Sequence, residues 1–295
     1  MEAQTLTLSL LKDQQLPLIS FALMILSFLS LWVKQTSWLW APILGISYIL
    51  ALISSLVQWF TIIPIAFLLL CHLGLKFRLP PAARYFLAMV AFMLSLGLKL
   101  EIIRGFSSVV FATNVQHTPS SLPYDLWFNY GTPFIGIFTL ALNHDLLKGK
   151  EWIRFTYTGL IWALLTSCII IFIFFSAKWI AFHPRFNLAM AFWYLLLVFL
   201  QIIPEEGFFR GFLQKEMSKI PIIGMNIISF ILIGILYGIC GLFIAPTLTF
   251  FVLSFCISIL LSILYHYTKQ IETSIITRVI IHFVHFFLFS YPILN

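Results

Sequence analysis

Formal charge is scarce in this chain: 17 Lys and Arg and 10 Asp and Glu are spread over 295 residues, 9% of the total. A soluble domain carries roughly a quarter charged residues, because its surface must be wetted. The shortage excludes a soluble enzyme. With 61% hydrophobic residues and a mean hydropathy of +1.04, it also excludes a disordered chain. Glycine is too sparse, at 14 residues, for a collagen-like fibre. Cysteine is equally thin. Cys71, Cys168, Cys240 and Cys256 lack CxxC spacing and fall inside apolar stretches, so they read as small core residues rather than disulfides or ligands. The net charge of +7 follows from the positive-inside bias of a membrane protein and requires no nucleic-acid partner.

What the chain does contain is a series of charge-free runs. A helix needs about 20 apolar residues to cross the ~30 Å hydrocarbon core. Runs without Asp, Glu, Lys or Arg cover 14–33, 35–75, 85–98, 155–177, 186–204, 220–268 and 279–295. The second holds two helices, turning near Gln58 to Pro64. The sixth also holds two, turning at Gly238-Ile-Cys-Gly241, with Pro246 permitting a turn slightly later. Snorkelling of Lys99 and Arg104 extends the third run. The last starts a turn earlier and buries Arg278 near an interface. The fold class expected is all-α: a polytopic transmembrane helical bundle of about nine spans, eight to ten.

The segment from Gly105 to Asn143 stands apart. Thr113, Asn114, Gln116, His117, Pro119, Ser120, Ser121 and Pro123 read as an aqueous loop. Phe134 to Leu142 is apolar but too short to span, so it reads as a re-entrant or interfacial segment, ended at a membrane face by Lys148, Lys150 and Arg154. Trp38, Trp40, Trp59, Trp127, Trp152 and Trp179 lie near span ends, where an aromatic belt forms. Three regions follow: N-terminal transmembrane helices at 1–104 as a variable appendage, a polar loop with the re-entrant segment at 105–150, and a membrane core at 151–295. Nine spans place ten basic residues, Arg210 among them, on the side of the N-terminus and six on the other. That difference favours a cytoplasmic N-terminus and a cytoplasmic 205–220 loop. Met1 to Gln15 is polar and no small-residue cleavage site follows, so the first run reads as a span that stays.

Ionisable groups inside or beside apolar spans are costly and mark function by default. The strongest group is Pro204-Glu205-Glu206-Gly207-Phe208-Phe209-Arg210-Gly211-Phe212. Two adjacent carboxylates repel unless a cation or metal compensates. On a helix Glu206 and Arg210 stand at i,i+4, so Arg210 pairs with Glu206. Glu205 then points about 100° away, free to polarise a water. The plainer alternative is an interfacial cap, with Pro204 opening a helix and two acids favouring its N-terminal dipole. A second group is His282-Phe-Val-His285, whose histidines at i,i+3 share one helical face. With a carboxylate they suit a zinc or an oriented water; the alternative is a pair of satisfied core histidines. Tyr237, inside the seventh expected span, needs a partner for its hydroxyl. His72, His117, His144, His183 and His266 read as bystanders.

The order of these features resembles the CAAX-processing and bacteriocin-processing (CPBP, or Abi) family of intramembrane proteases. Glu205-Glu206-x-x-x-Arg210 is followed by a helix pair, then by Ser274 and, eight residues on, His282. The phrase Pro-Glu-Glu-x-x-x-Arg-Gly matches the family's first motif in full. The likeness covers roughly residues 125 to 290, and Pro123-Tyr-Asp-Leu-Trp-Phe-Asn-Tyr resembles a stretch upstream of the core in some bacterial members. The resemblance implies that 151–295 is a protease core. Glu205 would be the general base, Glu206 its partner and Arg210 their orienting cation, while His282 would bind the water, metal or oxyanion. The family is described both as metallo-type and as glutamic-type. It therefore implies either a divalent metal such as zinc, with Glu205, Glu206, His282 and His285 as candidate ligands, or no cofactor.

Two positions depart from the family pattern. Tyr237 stands where the second motif places a histidine, and the third motif, His-x-x-x-Asn or Asp, here ends at Phe286. Tyr237 and His285 are then altered helpers. A tyrosine can donate to an oxyanion but ligates metal poorly at neutral pH, its ordinary pKa being about 10. The implied function is an intramembrane endopeptidase that cleaves a membrane-associated or lipidated protein or peptide by carboxylate-activated water. The departures point to the alternative, a catalytically impaired relative acting as a membrane scaffold or partner-binding protein. A small-solute transporter finds no support, since no pair of broken spans occupies corresponding halves. The partners expected are the lipid bilayer and the substrate, with no nucleic acid. The location is a multi-pass integral membrane setting, the plasma or inner membrane for a bacterial chain, with the site on the cytoplasmic side.

Overall fold

The computed structural model describes residues 15–33, 38–116, 120–143, 146–147, 151–186, 188–290 and 293. His117, Pro119, His144, Lys148, Lys150 and the segment before Gln15 lie outside the described residues, as do the side chains of Trp152 and Arg154. The chain is mostly helical: α1 (Gln15–Ser30), α2 (Trp40–Ile53), α3 (Ile62–Lys76, entered through a short 3₁₀ turn at Trp59–Thr61) and α4 (Pro81–Lys99) come first. Two strands follow, β1 (Ser108–Val115) and β2 (Tyr124–Asn129), then α5 (Phe134–Asn143) and α6 (Glu151–Ser176). A long helix α7 (Leu188–Met217) precedes α8 (Met225–Gly241), α9 (Leu248–Thr268) and α10 (Ile271–Leu288).

Each charge-free run carries a helix, as its composition requires. Among the described residues six helices are long and apolar enough to cross a membrane: Trp59–Lys76, Pro81–Lys99, Thr156–Ser176, Leu188–Met217, Leu248–Thr268 and Ile271–Leu288. α1, α2 and α8 are apolar but shorter. The architecture is a helical membrane bundle, and its shortfall against nine lies in these three elements.

The chain divides into two compact units, residues 1–111 with 127–144, and residues 112–126 with 145–295. The division passes through both strands of the two-stranded β1–β2 sheet. This sheet corrects the expectation of an all-α chain with an irregular loop here. β1 reads Ser-Val-Val-Phe-Ala-Thr-Asn-Val, and its β-branched side chains favour a pleated strand despite the polar residues beside them.

In the first unit α1 packs along α2, and α5 packs against α3 and α4. Phe134, Ile135, Ile137, Phe138 and Leu140 are all buried. An interfacial helix would wet one face, so that part of the expectation fails: α5 is core. Trp40 is corrected likewise. Rather than joining a belt, it is buried and sets its ring edge-on to Phe138 at 6.2 Å, whereas Trp38 and Trp59 are exposed.

In the second unit α8 runs unbroken through Gly238 and Gly241, and the chain turns afterwards, on the Pro246 side. Those glycines serve packing instead. A Cβ at Gly238 would come within 2.7 Å of the Phe251 ring, and one at Gly241 within 2.4 Å of Ser254 Oγ. Small residues let two membrane helices approach closely, and α8 lies directly on α9. Thr247 caps α9, its Oγ1 accepting from the Phe250 N–H at 3.2 Å. α10 packs on α6, where Thr277 Oγ1 donates to the Gly159 carbonyl at 3.1 Å. An apolar cluster that includes Phe174, Leu253, Ile257, Leu261 and Ile281 fills the space between these helices. None of the four cysteines forms a disulfide; Cys71 is buried and Cys168 exposed.

Candidate active site

The site lies within the second unit and is drawn from α7, α8, α9 and α10. α7 is not a uniform α-helix. Wide π-helical turns at Val198–Ile202 and Gly207–Gln214 flank the α-helical stretch Ile203–Glu206. Pro204 has no N–H to give to the preceding turn, which loosens the i→i−4 ladder at this point. Local widening of this kind recurs at functional sites. Glu205, Glu206, Phe208, Phe209 and Arg210 are all buried, and Glu206 and Arg210 are 0% exposed.

The expected Glu206–Arg210 pair is present, with Arg210 Nη1 at 3.3 Å from Glu206 Oε1. Arg210 is also tied to α9, its Nη2 donating to the Ser258 carbonyl at 3.0 Å and to Ser258 Oγ at 2.9 Å. One turn on, Gln214 Nε2 repeats the tie by donating to the Ser262 carbonyl at 2.8 Å. Arg210 therefore belongs inside the bundle. The basic residues on the N-terminal side lose one member by that, and the charge asymmetry narrows.

Glu205 does not stand free. Arg278 of α10 reaches across to both acids: its Nη2 donates to Glu205 Oε2, and its Nη1 donates to Glu206 Oε1 at 3.1 Å and to the Ile202 carbonyl at 3.4 Å. Arg278 is 2% exposed, so the expected burial of this cation is observed. Two carboxylates and two guanidiniums thus form a buried cluster whose formal charges cancel. Breaking one partner of such a pair costs roughly 3–5 kcal/mol, because it leaves an uncompensated charge. Glu206 Oε2 has no hydrogen-bond partner among the described residues.

Tyr237 of α8 lines the same cluster. Its ring centre lies 4.8 Å from the Arg278 guanidinium carbon and 5.4 Å from that of Arg210, and Phe209 meets it edge-on at 5.2 Å. A desolvated cation over an aromatic face contributes about 2 kcal/mol. No hydrogen bond from the Tyr237 hydroxyl is found among the described residues. His282, one turn beyond Arg278, lies within electrostatic range of Arg278, His285 and Glu205, and its Nε2 is buried without a hydrogen-bond partner.

Two residues singled out by the sequence go elsewhere. His285 lines an apolar cleft with Ser167, Ile170, Phe174, Leu253 and Ile257. Phe286 is core, stacked on Trp193 at 4.9 Å and 30°. Ser274 is fully buried. No three His, Cys, Asp or Glu side chains converge as a metal-binding group among the described residues. Guanidinium donors occupy Glu205 Oε2 and Glu206 Oε1, two positive groups stand where a dication would sit, and His285 faces the apolar cleft, so the residues as placed do not fit that ion.

Sequence reasoning missed Arg278 and Ser258. Arg278 had one usable signal, a cation four residues before His282 and therefore on the same helical face. Ser258 had none.

Residues 186–284 match the family model described as type II CAAX prenyl endopeptidase Rce1-like. This stretch is similar to that family. It spans α7 to most of α10 and contains Glu205, Glu206, Arg210, Tyr237, Arg278 and His282. No curated protein and no solved structure matches the chain. With its apolar helices, the chain is an integral membrane protein with a stretch similar to the CAAX endopeptidases.

Proposed function

We propose that the chain is an intramembrane endopeptidase, cleaving a peptide bond in a membrane-associated or lipidated protein or peptide. The observation that carries this reading is the convergence of Glu205, Glu206, Arg210 and Tyr237 in one buried cluster within the Rce1-like stretch, with His282 close by. The acid pair takes the proton of a water as its oxygen attacks the carbonyl carbon. Glu206 Oε2 is the carboxylate oxygen with open lone pairs for that task. The Tyr237 hydroxyl and His282 Nε2 are donors available to the oxygen that gains negative charge. The carboxylic acid then returns the proton to the departing amine. No step is routed through a metal.

A second reading has its own support. Glu205 is engaged by Arg278, and Phe286 fills with a ring the position where the family pattern has an amide or acid. A bundle that kept the fold while its acids serve as an ion-pair core would bind membrane partners without cleaving them. The same proposal reads all nine apolar helices as spanning, with the N-terminus cytoplasmic and the site toward that side. α1, at 16 residues, reaches only about 24 Å and spans by thinning the bilayer around it.

The deciding measurement uses purified protein in lipid nanodiscs and a set of membrane-anchored peptides, with new amino termini read by mass spectrometry. Wild type is expected to cleave, and Glu206→Gln and Glu205→Gln to lose about 10²- to 10⁴-fold of the rate. Equal turnover by wild type and both variants removes the site from the reaction. A silent wild type whose partner capture depends on Glu205 transfers the conclusion to the second reading.

A further inference from the structure

The acid pair has a cation that the motif does not supply. Arg210 lies within the same helix as Glu206 and, of the two acids, pairs with Glu206 through its Oε1. Two adjacent buried carboxylates against one guanidinium leave a net negative charge, which a low-dielectric interior disfavours strongly. Arg278 supplies the balance from a different helix, and it does so with a forked contact. One nitrogen bonds Glu205 and the other bonds Glu206, so a single planar group sets the separation and orientation of both acids. The Tyr237 ring lies against the guanidinium at 4.8 Å and limits where it can move. α10 also carries His282, four residues on, so whatever places Arg278 also sets the distance from the acid pair to His282.

We infer that Arg278 is a positioning residue of the acid pair, clamping Glu205 and Glu206 from α10 and joining the helix of the acids to the helix of His282. Its kinetic consequence rests on the endopeptidase reading; its pairing with Glu205 does not. The guanidinium touches no reacting atom. It acts by fixing the carboxylates, and Tyr237 helps by holding it in place.

The test is a double-mutant cycle in nanodiscs with wild type, Arg278→Gln, Glu205→Gln and the double variant, read by thermal unfolding and by cleavage kinetics. Arg278→Gln leaves the buried cluster with a net negative charge and is expected to lower the melting temperature on the order of 10 °C. Adding Glu205→Gln removes that excess charge and recovers at least about half of the shift, a strongly non-additive result. In the kinetics, Arg278→Gln lowers kcat about 100-fold while KM stays close to wild type, because misplaced acids cost the chemical step rather than binding. Arg278→Lys keeps the charge but loses the fork, so it is expected to recover the melting temperature better than it recovers kcat. Additive melting shifts overturn the pairing, and a wild-type kcat in Arg278→Gln overturns the positioning role. Where Arg278→Gln fails to accumulate, the same cycle run with Arg278→Lys decides. A wild type that cleaves nothing removes the endopeptidase reading, and the melting cycle still decides whether Arg278 clamps the pair.

Discussion

The two units bury polar groups in opposite ways. In the first, several buried polar contacts are neutral hydroxyl bonds. Ser47 Oγ and the Tyr130 hydroxyl lie 2.7 Å apart, Ser20 Oγ donates to the Ser47 carbonyl at 2.8 Å, and the Tyr48 hydroxyl meets Thr61 Oγ1 at 2.8 Å. Each such bond contributes roughly 0.5–1.5 kcal/mol net and carries no formal charge into the bundle. In the second unit Glu205, Glu206, Arg210 and Arg278 place four formal charges in one buried cluster. Ion pairs of this kind often stabilise less than apolar side chains of the same volume would. Hydroxyl pairs suffice to hold membrane helices together, and the proposed chemistry gives the charged cluster a role that cohesion does not. The comparison assigns structure to one unit and the candidate function to the other.

That contrast can be broken at its strongest point first. Arg210→Ala removes the Glu206 partner and the tie to Ser258 together, and is expected to cost about 3–5 kcal/mol. Thermal unfolding in detergent or nanodiscs reads the loss directly. A variant that melts with wild type would mean that the second unit does not depend on its charges. Glu206→Gln should instead keep most of the shape of the site while cutting cleavage by about 10²- to 10⁴-fold. Rates that fall no further than abundance does would place the reaction elsewhere.

Packing within the second unit offers a smaller effect. A valine at Gly241 puts side-chain atoms where Ser254 Oγ lies only 2.4 Å from an ideal Cβ. Overpacking of this kind costs about 1–3 kcal/mol. Gly241→Val is expected to lower the melting temperature and to separate α8 from α9. Because Tyr237 rides on α8, cleavage should fall with it. Gly45, with nothing within 4 Å of its ideal Cβ, is the matched control in the first unit. Equal melting shifts for Gly45→Val and Gly241→Val would count against close approach as the role of Gly241.

What could be read from the residues depended on how local the signal was. The Glu206–Arg210 pair follows from spacing within one helix, and the apolar runs follow from composition alone. Arg278 lies 72 residues from Glu206 in the chain, and no spacing rule connects them. Read in isolation, it looks like a span-end cation. Gly238 and Gly241 resembled a turn because glycine marks turns in soluble chains, whereas in apolar helices it marks contact faces. The β-branched residues of β1 were visible but were outweighed by the polar residues around them. Phe134 to Leu142 reads as apolar and short, and it lies in a helix of 10 residues. Its burial depends on α3 and α4, which only the fold brings together.

The smallest expected effect falls in the first unit, and it carries the other half of the comparison. Tyr130→Phe removes one hydroxyl from the group shared with Ser20 and Ser47 and leaves the ring packed edge-on to Phe21 at 5.4 Å. The two serines keep their bonds to each other's carbonyls, at 2.8 and 2.7 Å, so neither is stranded. The loss should be about 1 kcal/mol, a shift of only a few degrees in melting temperature. Cleavage should match wild type once corrected for abundance, since no charge and no site residue changes. If Tyr130→Phe instead lowers kcat at constant abundance, the first unit takes part in the reaction. The division between a neutral structural unit and a charged chemical one would then fail from the side where it looks safest.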